Sequence, residues 1–402
     1  MKKKLLAAAI GAMLIGGSAS AVQKSHDGVG DLLIAPAYLI GGDMSTGIKV
    51  INTSSTQSVV AKVVFRDPAS SKEVLDFLIY LSPSDVWTAN VTCAAADAVG
   101  TCTKSVVTSA DDSMQTDGGG FGSVATPAVI VSDAATAAAT GRIPLPNQGY
   151  FEVIESQAYN LTPFKPGVAK SLIYSTHHDP LTTPLVAVGD TPNVLTGSVT
   201  ISAGAIGKAT LPMIALEDYD NNNRLKVGVV SGFDDAFART SLRDVEDALW
   251  VNNLAVPYER PAAGFSIALF NFPTKLTYKW EKGQATGGQY PFGAGKTCIT
   301  ADVYDNLENT IVGNTFNVSP LPVAGTTCID EMQWLFFGTN IATSTFTEGW
   351  SRIQFQNPSN ALAQVRLPAQ SVNTGRSGAP AIVSYMIKTA TSFTWAYAAA
   401  TR

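Results

Sequence analysis

Three short stretches of this chain hold clustered residue types that could do chemistry. In "TGRSGAPAIVSY", residues 374 to 385, Ser377 stands between Gly375 and Gly378, the setting of an exposed nucleophile or of a plain glycine-flanked turn into an apolar strand. A serine nucleophile needs a histidine base and a carboxylate to orient it. The chain has three histidines, His26, His177 and His178, the last two in "STHHDP" before Asp179. Neighbours on an extended segment point to opposite sides, so His177 and His178 share one metal ion only if the chain turns between them. In "EDYDNNN" the donors Asp218, Asp220 and Asn222 alternate as they do at the start of a calcium loop. Asn223 stands where that loop has glycine, and Val229 where it closes with glutamate. Calcium held with distant ligands is one reading, and a polar hairpin tip is the other.

The four cysteines form two local pairs, Cys93 with Cys102 and Cys298 with Cys328. Sequential disulfides close the shortest loops, and zinc would call for closer CxxC pairs or histidines nearby. Five tryptophans, Trp87, Trp280, Trp334, Trp350 and Trp395, offer either a stacking platform for a glycan or anchors for a core. No Walker loop, GxGxxG, GxSxG or HExxH occurs, which removes the common nucleotide, α/β-hydrolase and zincin readings.

The elements that must position these residues read as strands. In "SVVAKVVFRDP" Val59, Ala61, Val63 and Phe65 share one side while Lys62 and Arg66 take the other, the period of two of a half-buried strand. "VLDFLIYLSPSDVW" continues as strand, turn, strand. "IKVINTSS", "IALFNFPT" and "IQFQNPSN" repeat one device, in which Asn52, Asn271 and Asn357 end a strand and cap the turn. Further strands are expected at 265–272, 298–304, 332–337, 353–355, 382–387 and 393–397. One amphipathic helix is expected over 234–250, with Ala238, Leu242, Val245 and Leu249 on its apolar stripe. The fold class expected is all-β, as two immunoglobulin-like β-sandwich regions, 22–160 and 196–402, joined by a proline-rich connector at 161–195.

The first 21 residues carry three lysines, an apolar run from Leu5 to Ile15, and Ala19-Ser20-Ala21, the pattern of a signal peptide cut after Ala21. The run is too short to span a bilayer, so an exported chain with no transmembrane span is expected. The net charge of −5, without a basic cluster, argues against nucleic acid. Charged residues make up only 15%, which suits subunits that pack against copies of themselves or other surface proteins with little charge to desolvate.

Residues 374 to 380 resemble the nucleophile segment of trypsin-like serine proteases, which implies Ser377 as nucleophile. Arg376 stands where that family has aspartate, and Ala379 where it has glycine. Residues 46 to 92 resemble exported, β-rich bacterial cell-surface proteins, which implies an envelope or extracellular location and no catalytic residues. The reading that results is a non-enzymatic, self-assembling surface protein without a cofactor, with a glycan- or calcium-binding module as its rival and a hydrolase using Ser377 behind both.

Overall fold

A computed structural model describes residues 22–69, 71–111, 113–115, 128–139, 142–160, 172–173, 186–187, 192–219, 245–274, 298–317, 332–339, 341, 343, 346–355 and 378–400. Among the described residues the protein is mostly β, with several sheets and only short helices, and the named strands pair antiparallel.

Among the described residues eleven strands of four residues or more build the N-terminal body: β1 (Leu32–Leu39), β2 (Met44–Asn52), β3 (Gln57–Arg66), β4 (Glu73–Leu81), β5 (Val86–Ala96), β6 (Cys102–Ser109), β7 (Ala128–Asp133), β8 (Gln148–Asn160), β9 (Leu195–Ala203), β10 (Lys208–Pro212) and β11 (Ile214–Glu217). Sheet I runs β11-β1-β8-β3-β4, closed at its ends by the two-residue strands Gln23–Lys24 and Met114–Gln115. Sheet II runs β10-β9-β2-β5-β6-β7. The alternation expected for β3 is present: Val59, Ala61, Val63 and Phe65 enter one core with Trp87, Val91, Val199 and Ile201 of sheet II. Phe65 packs against both Phe77 and Phe151 there with tilted rings, and Phe77 meets Trp87 at 5.8 Å between ring centroids.

Three local readings are realised. Asn52 is buried; its amide donates to the Gln57 and Ser82 carbonyls while its oxygen accepts from the Ser54 amide, tying together two turns. Cys93 and Cys102 form a disulfide across the β5–β6 hairpin, with Cα atoms 5.7 Å apart. Of the helix expected over 234–250 the described part is 245–250: 245–248 are helical, with Val245 and Leu249 buried, but the helix ends before the expected boundary and Trp250 opens the two-residue strand Trp250–Val251. A second short helix, α1 (Ala134–Ala139), begins at Asp133, whose carboxylate accepts from the Thr136 amide.

Among the described residues eight strands of five residues or more build the C-terminal body: β12 (Asn253–Glu259), β13 (Phe265–Asn271), β14 (Cys298–Asp305), β15 (Thr310–Asn317), β16 (Met332–Phe336), β17 (Glu348–Phe355), β18 (Ile382–Lys388) and β19 (Phe393–Tyr397). Sheet III runs β15-β14-β17-β12, ending on Ala399–Ala400, and sheet IV runs β16-β13-β18-β19. Sheet pairing runs past the connector placed by proline density. β9, β10 and β11, beyond residue 195, lie in the sheets of the N-terminal body, because β9 pairs with β2 along its whole length.

Inside sheet IV, β13 is buried on both faces, and its alternation shows how. Ile267 and Leu269 join the first core with Met386 and Trp395, while Ala268 and Phe270 join a second core with Ile299, Val303, Ile353 and Phe355 of sheet III. One strand thus walls two cores. Asn271 ends β13 as Asn52 ends β2, but its amide reaches across to the Pro36 carbonyl of the N-terminal body, 3.3 Å away. Tyr397 likewise donates to the Pro212 carbonyl, and the Met332 amide to that of Pro68.

Candidate functional site

Two sets of side chains carry the polar chemistry of the described residues. The first lies on the far face of sheet I, where the half-buried strand expected at β3 is buried on both sides. Val245, Leu249 and Ile382 cover that face beside Val64, and Ile173 covers it beside Val60. Lys62 and Arg66 therefore point into protein, not solvent, and carboxylates meet them from neighbouring strands. The Lys62 ammonium lies 2.7 Å from Asp76 and 3.6 Å from Glu73. Arg142, just after α1, bridges the same two carboxylates. Arg66 donates through Nε and Nη2 to Glu152, at 3.2 and 3.0 Å, and through Nη1 to the Ser71 carbonyl. Three cations face three anions, so the cluster is close to neutral.

Burial decides how these acids titrate. It raises the Glu152 and Glu73 carboxyls above their ordinary values, against the attraction of Arg66 and Lys62 respectively. Glu155, where the β8–β3 register shifts, is pushed much higher by burial and then by Asp31, whose carbonyl its amide bonds. A carboxyl whose folded pKa exceeds its unfolded one binds more protons when folded, so stability is greatest at low pH and declines as pH rises through the window above about 4.5. Glu155→Gln removes that loss. We expect it to raise the melting midpoint at pH 7.5 by a few degrees, to change it little at pH 4.5, and so to flatten the pH profile in a thermal melt.

The second set is partly accessible: Trp350 and the Arg352 side chain reach solvent, whereas Asp302 is buried. On the outer face of sheet III, β14 and β17 pair in register as three rungs: Tyr304 with Trp350, Asp302 with Arg352, and Thr300 with Gln354. Their strand neighbours Ile299, Ala301, Val303, Ile353 and Phe355 turn inward to the second core, so period two alone presents the rungs outward. The Tyr304 and Trp350 rings stack with centroids 4.5 Å apart and planes 12° from parallel. Gly349 permits this close approach, since a Cβ there would lie 1.9 Å from the Tyr304 carbonyl oxygen. Trp350 is 37% exposed. Arg352 donates through Nε and Nη2 to one oxygen of Asp302, so the middle rung is an ion pair with its cation partly in solvent.

Beside this face β15, "TIVGNTFN", forms the end of sheet III, and among the described residues no strand pairs with its other side. It is eight residues long and carries neither charge nor proline, the devices that usually protect a sheet edge. Among the described residues the other sheet ends differ: the two outermost pairings of sheet I are two residues long, β10 ends on Pro212, β7 ends on Asp133, and β16 and β19, which like β15 carry neither charge nor proline, are five residues long.

The residues singled out from sequence divide sharply. Ser377, His177, His178, Asp179, Asp220, Asn222, Trp280, Asn357 and Cys328 lie outside the described residues, as does the side chain of Cys298. Asp218 is described; its carboxylate accepts from the Asn193 amide group and its own backbone amide donates back to Asn193. His26 is exposed. Trp87 and Trp395 are core anchors, Trp395 donating to Ser384 inside sheet IV, and Trp334 is half-buried. Of the five tryptophans named, Trp350 alone among those described stands out to solvent. Among the described residues no three of His, Cys, Asp and Glu gather as a metal site, and no helix is long and apolar enough to cross a membrane. Sequence reading missed Tyr304, Arg352 and Asp302, although "CITADVYD" and "EGWSRIQF" alternate apolar and polar residues along the pairing that unites them.

The fold defines an all-β protein of stacked antiparallel sheets, with an aromatic and polar face beside an open edge. No family model, curated protein or solved structure matches the chain.

Proposed function

We propose that this is a non-enzymatic, exported structural or surface protein that works through contacts and associates with copies of itself along β15. The open edge carries this reading. An unpaired row of backbone donors and acceptors is a template for another strand, and edge pairing needs no charged complement. The scarcity of charge in the whole chain and the signal-peptide pattern at its start agree with it.

Sizing by light scattering, with electron microscopy at low and high concentration, tests the proposal. The mature protein should associate as concentration rises. Thr315→Lys, placed on β15 opposite Thr300 in register, should hold it monomeric with its melting temperature nearly unchanged. A protein that stays monomeric throughout, or a Thr315→Lys variant that associates like wild type, counts against it.

A further inference from the structure

The buried cluster on sheet I holds the parts of a reaction as well as a set of charges. We propose that Lys62 and Asp76 condense after folding into an amide between Lys62 Nζ and Asp76 Cγ, a covalent tie between β3 and β4, with Glu73 carrying the proton and Arg142 holding the carbonyl oxygen.

Register brings the reactants together. Lys62 lies opposite Leu78 and Asp76 opposite Val64, so the two side chains stand diagonally on one face of neighbouring strands. Nζ is 2.7 Å from Asp76 Oδ2 and 3.6 Å from Glu73 Oε2. Arg142 reaches the other oxygen of each acid, Asp76 Oδ1 at 2.6 Å and Glu73 Oε1. The four groups alternate in sign around a ring, and the Lys62 and Asp76 side chains are wholly shut off from solvent. Two groups held in such fixed contact behave as if present at about 10⁵ to 10⁸ M, which is how an otherwise slow condensation becomes feasible. The pair meets only once β3 and β4 are paired and covered, so the bond closes after folding, and freshly folded protein still carries the ion pair.

The step balances within the ring. The Lys62 ammonium gives one proton to Glu73, whose carboxyl burial raises above its ordinary value. The freed amine attacks Cγ, negative charge gathers on Oδ1 beside Arg142, and Glu73 passes its proton to Oδ2. Oδ2 leaves with that proton and a second one from the nitrogen, as water, and the third proton stays on the amide. No oxidant or outside group is consumed. The product replaces a buried ion pair, costly to desolvate, by a neutral amide, and leaves Arg142 with Glu73 and Arg66 with Glu152. The same exclusion of solvent protects the bond from hydrolysis.

The test is the intact mass of the mature protein, incubated until the mass is constant and then reduced to open its disulfides. It should be lighter than its sequence by one water, and a tryptic digest should contain a branched peptide in which residues 50–66, uncut at Lys62, are joined to residues 73–104. Lys62→Arg, which keeps the charge, should show the full sequence mass. Glu73→Gln, shown to be folded by circular dichroism, should form the bond about a hundredfold more slowly. The proposal is overturned if wild type stays at its full mass, if Lys62→Arg also loses water, or if folded Glu73→Gln reacts at the wild-type rate. Because the tie lies within one chain, the same loss is expected at every protein concentration and in Thr315→Lys, so its failure is distinct from a failure of association along β15.

Discussion

Lys62→Met should cost about 3 to 5 kcal/mol of folding stability, a large share of the roughly 5 to 15 kcal/mol that a domain ordinarily has. Lys62 is fully buried, and removing its charge leaves Glu73 and Asp76 to share Arg142 in a site that water does not reach. The damage is the uncompensated anion, not the lost contact. A second substitution separates the two: Lys62→Met with Asp76→Leu removes one charge of each sign, leaving Arg142 with Glu73 and Arg66 with Glu152. That double variant should recover most of the stability, because apolar replacements of buried ion pairs are often close to neutral. Urea unfolding of the three proteins decides it. A Lys62→Met protein as stable as wild type would mean that the cluster is hydrated and contributes little.

The second large effect concerns two adjacent residues with opposite duties. Leu269 and Phe270 are both fully buried, yet Leu269 belongs to the core shared with sheets I and II and Phe270 to the core shared with sheet III. Leu269→Ala should cost about 2 to 5 kcal/mol and Phe270→Ala about 3 to 5, by lost burial and by the cavity left behind. The informative part is cooperativity. Because one strand walls both cores, either substitution should move a single melting transition of the whole chain in calorimetry. Two separate transitions, one answering to each substitution, would show that the bodies unfold independently.

How much of this was legible in the sequence depends on how far away the deciding partner lay. Where the partners are near, as at β3 and β4, in the Asn52 caps and in the Cys93–Cys102 loop, alternation and turn chemistry were enough. Asn271 carries the same local signal as Asn52, but its amide is used by Pro36, more than two hundred residues earlier, which no local pattern announces. Lys62 and Arg66 show the same limit. Their alternation reads as a solvent face, and it is the cover from Val245, Leu249 and Ile382 that turns them into buried charges. The rungs were invisible for a third reason: Trp350 was one aromatic among several until β14 set Tyr304 beside it.

The open edge of β15 has a consequence in symmetry. If two copies join antiparallel along that strand, each presents the same surface to the other, and the union is a twofold pair in which both edges are spent. Growth would then halt at two subunits. A sheet-like lattice or a fibre would have to recruit some different surface, so the stoichiometry of the smallest complex reports directly on whether β15 acts alone.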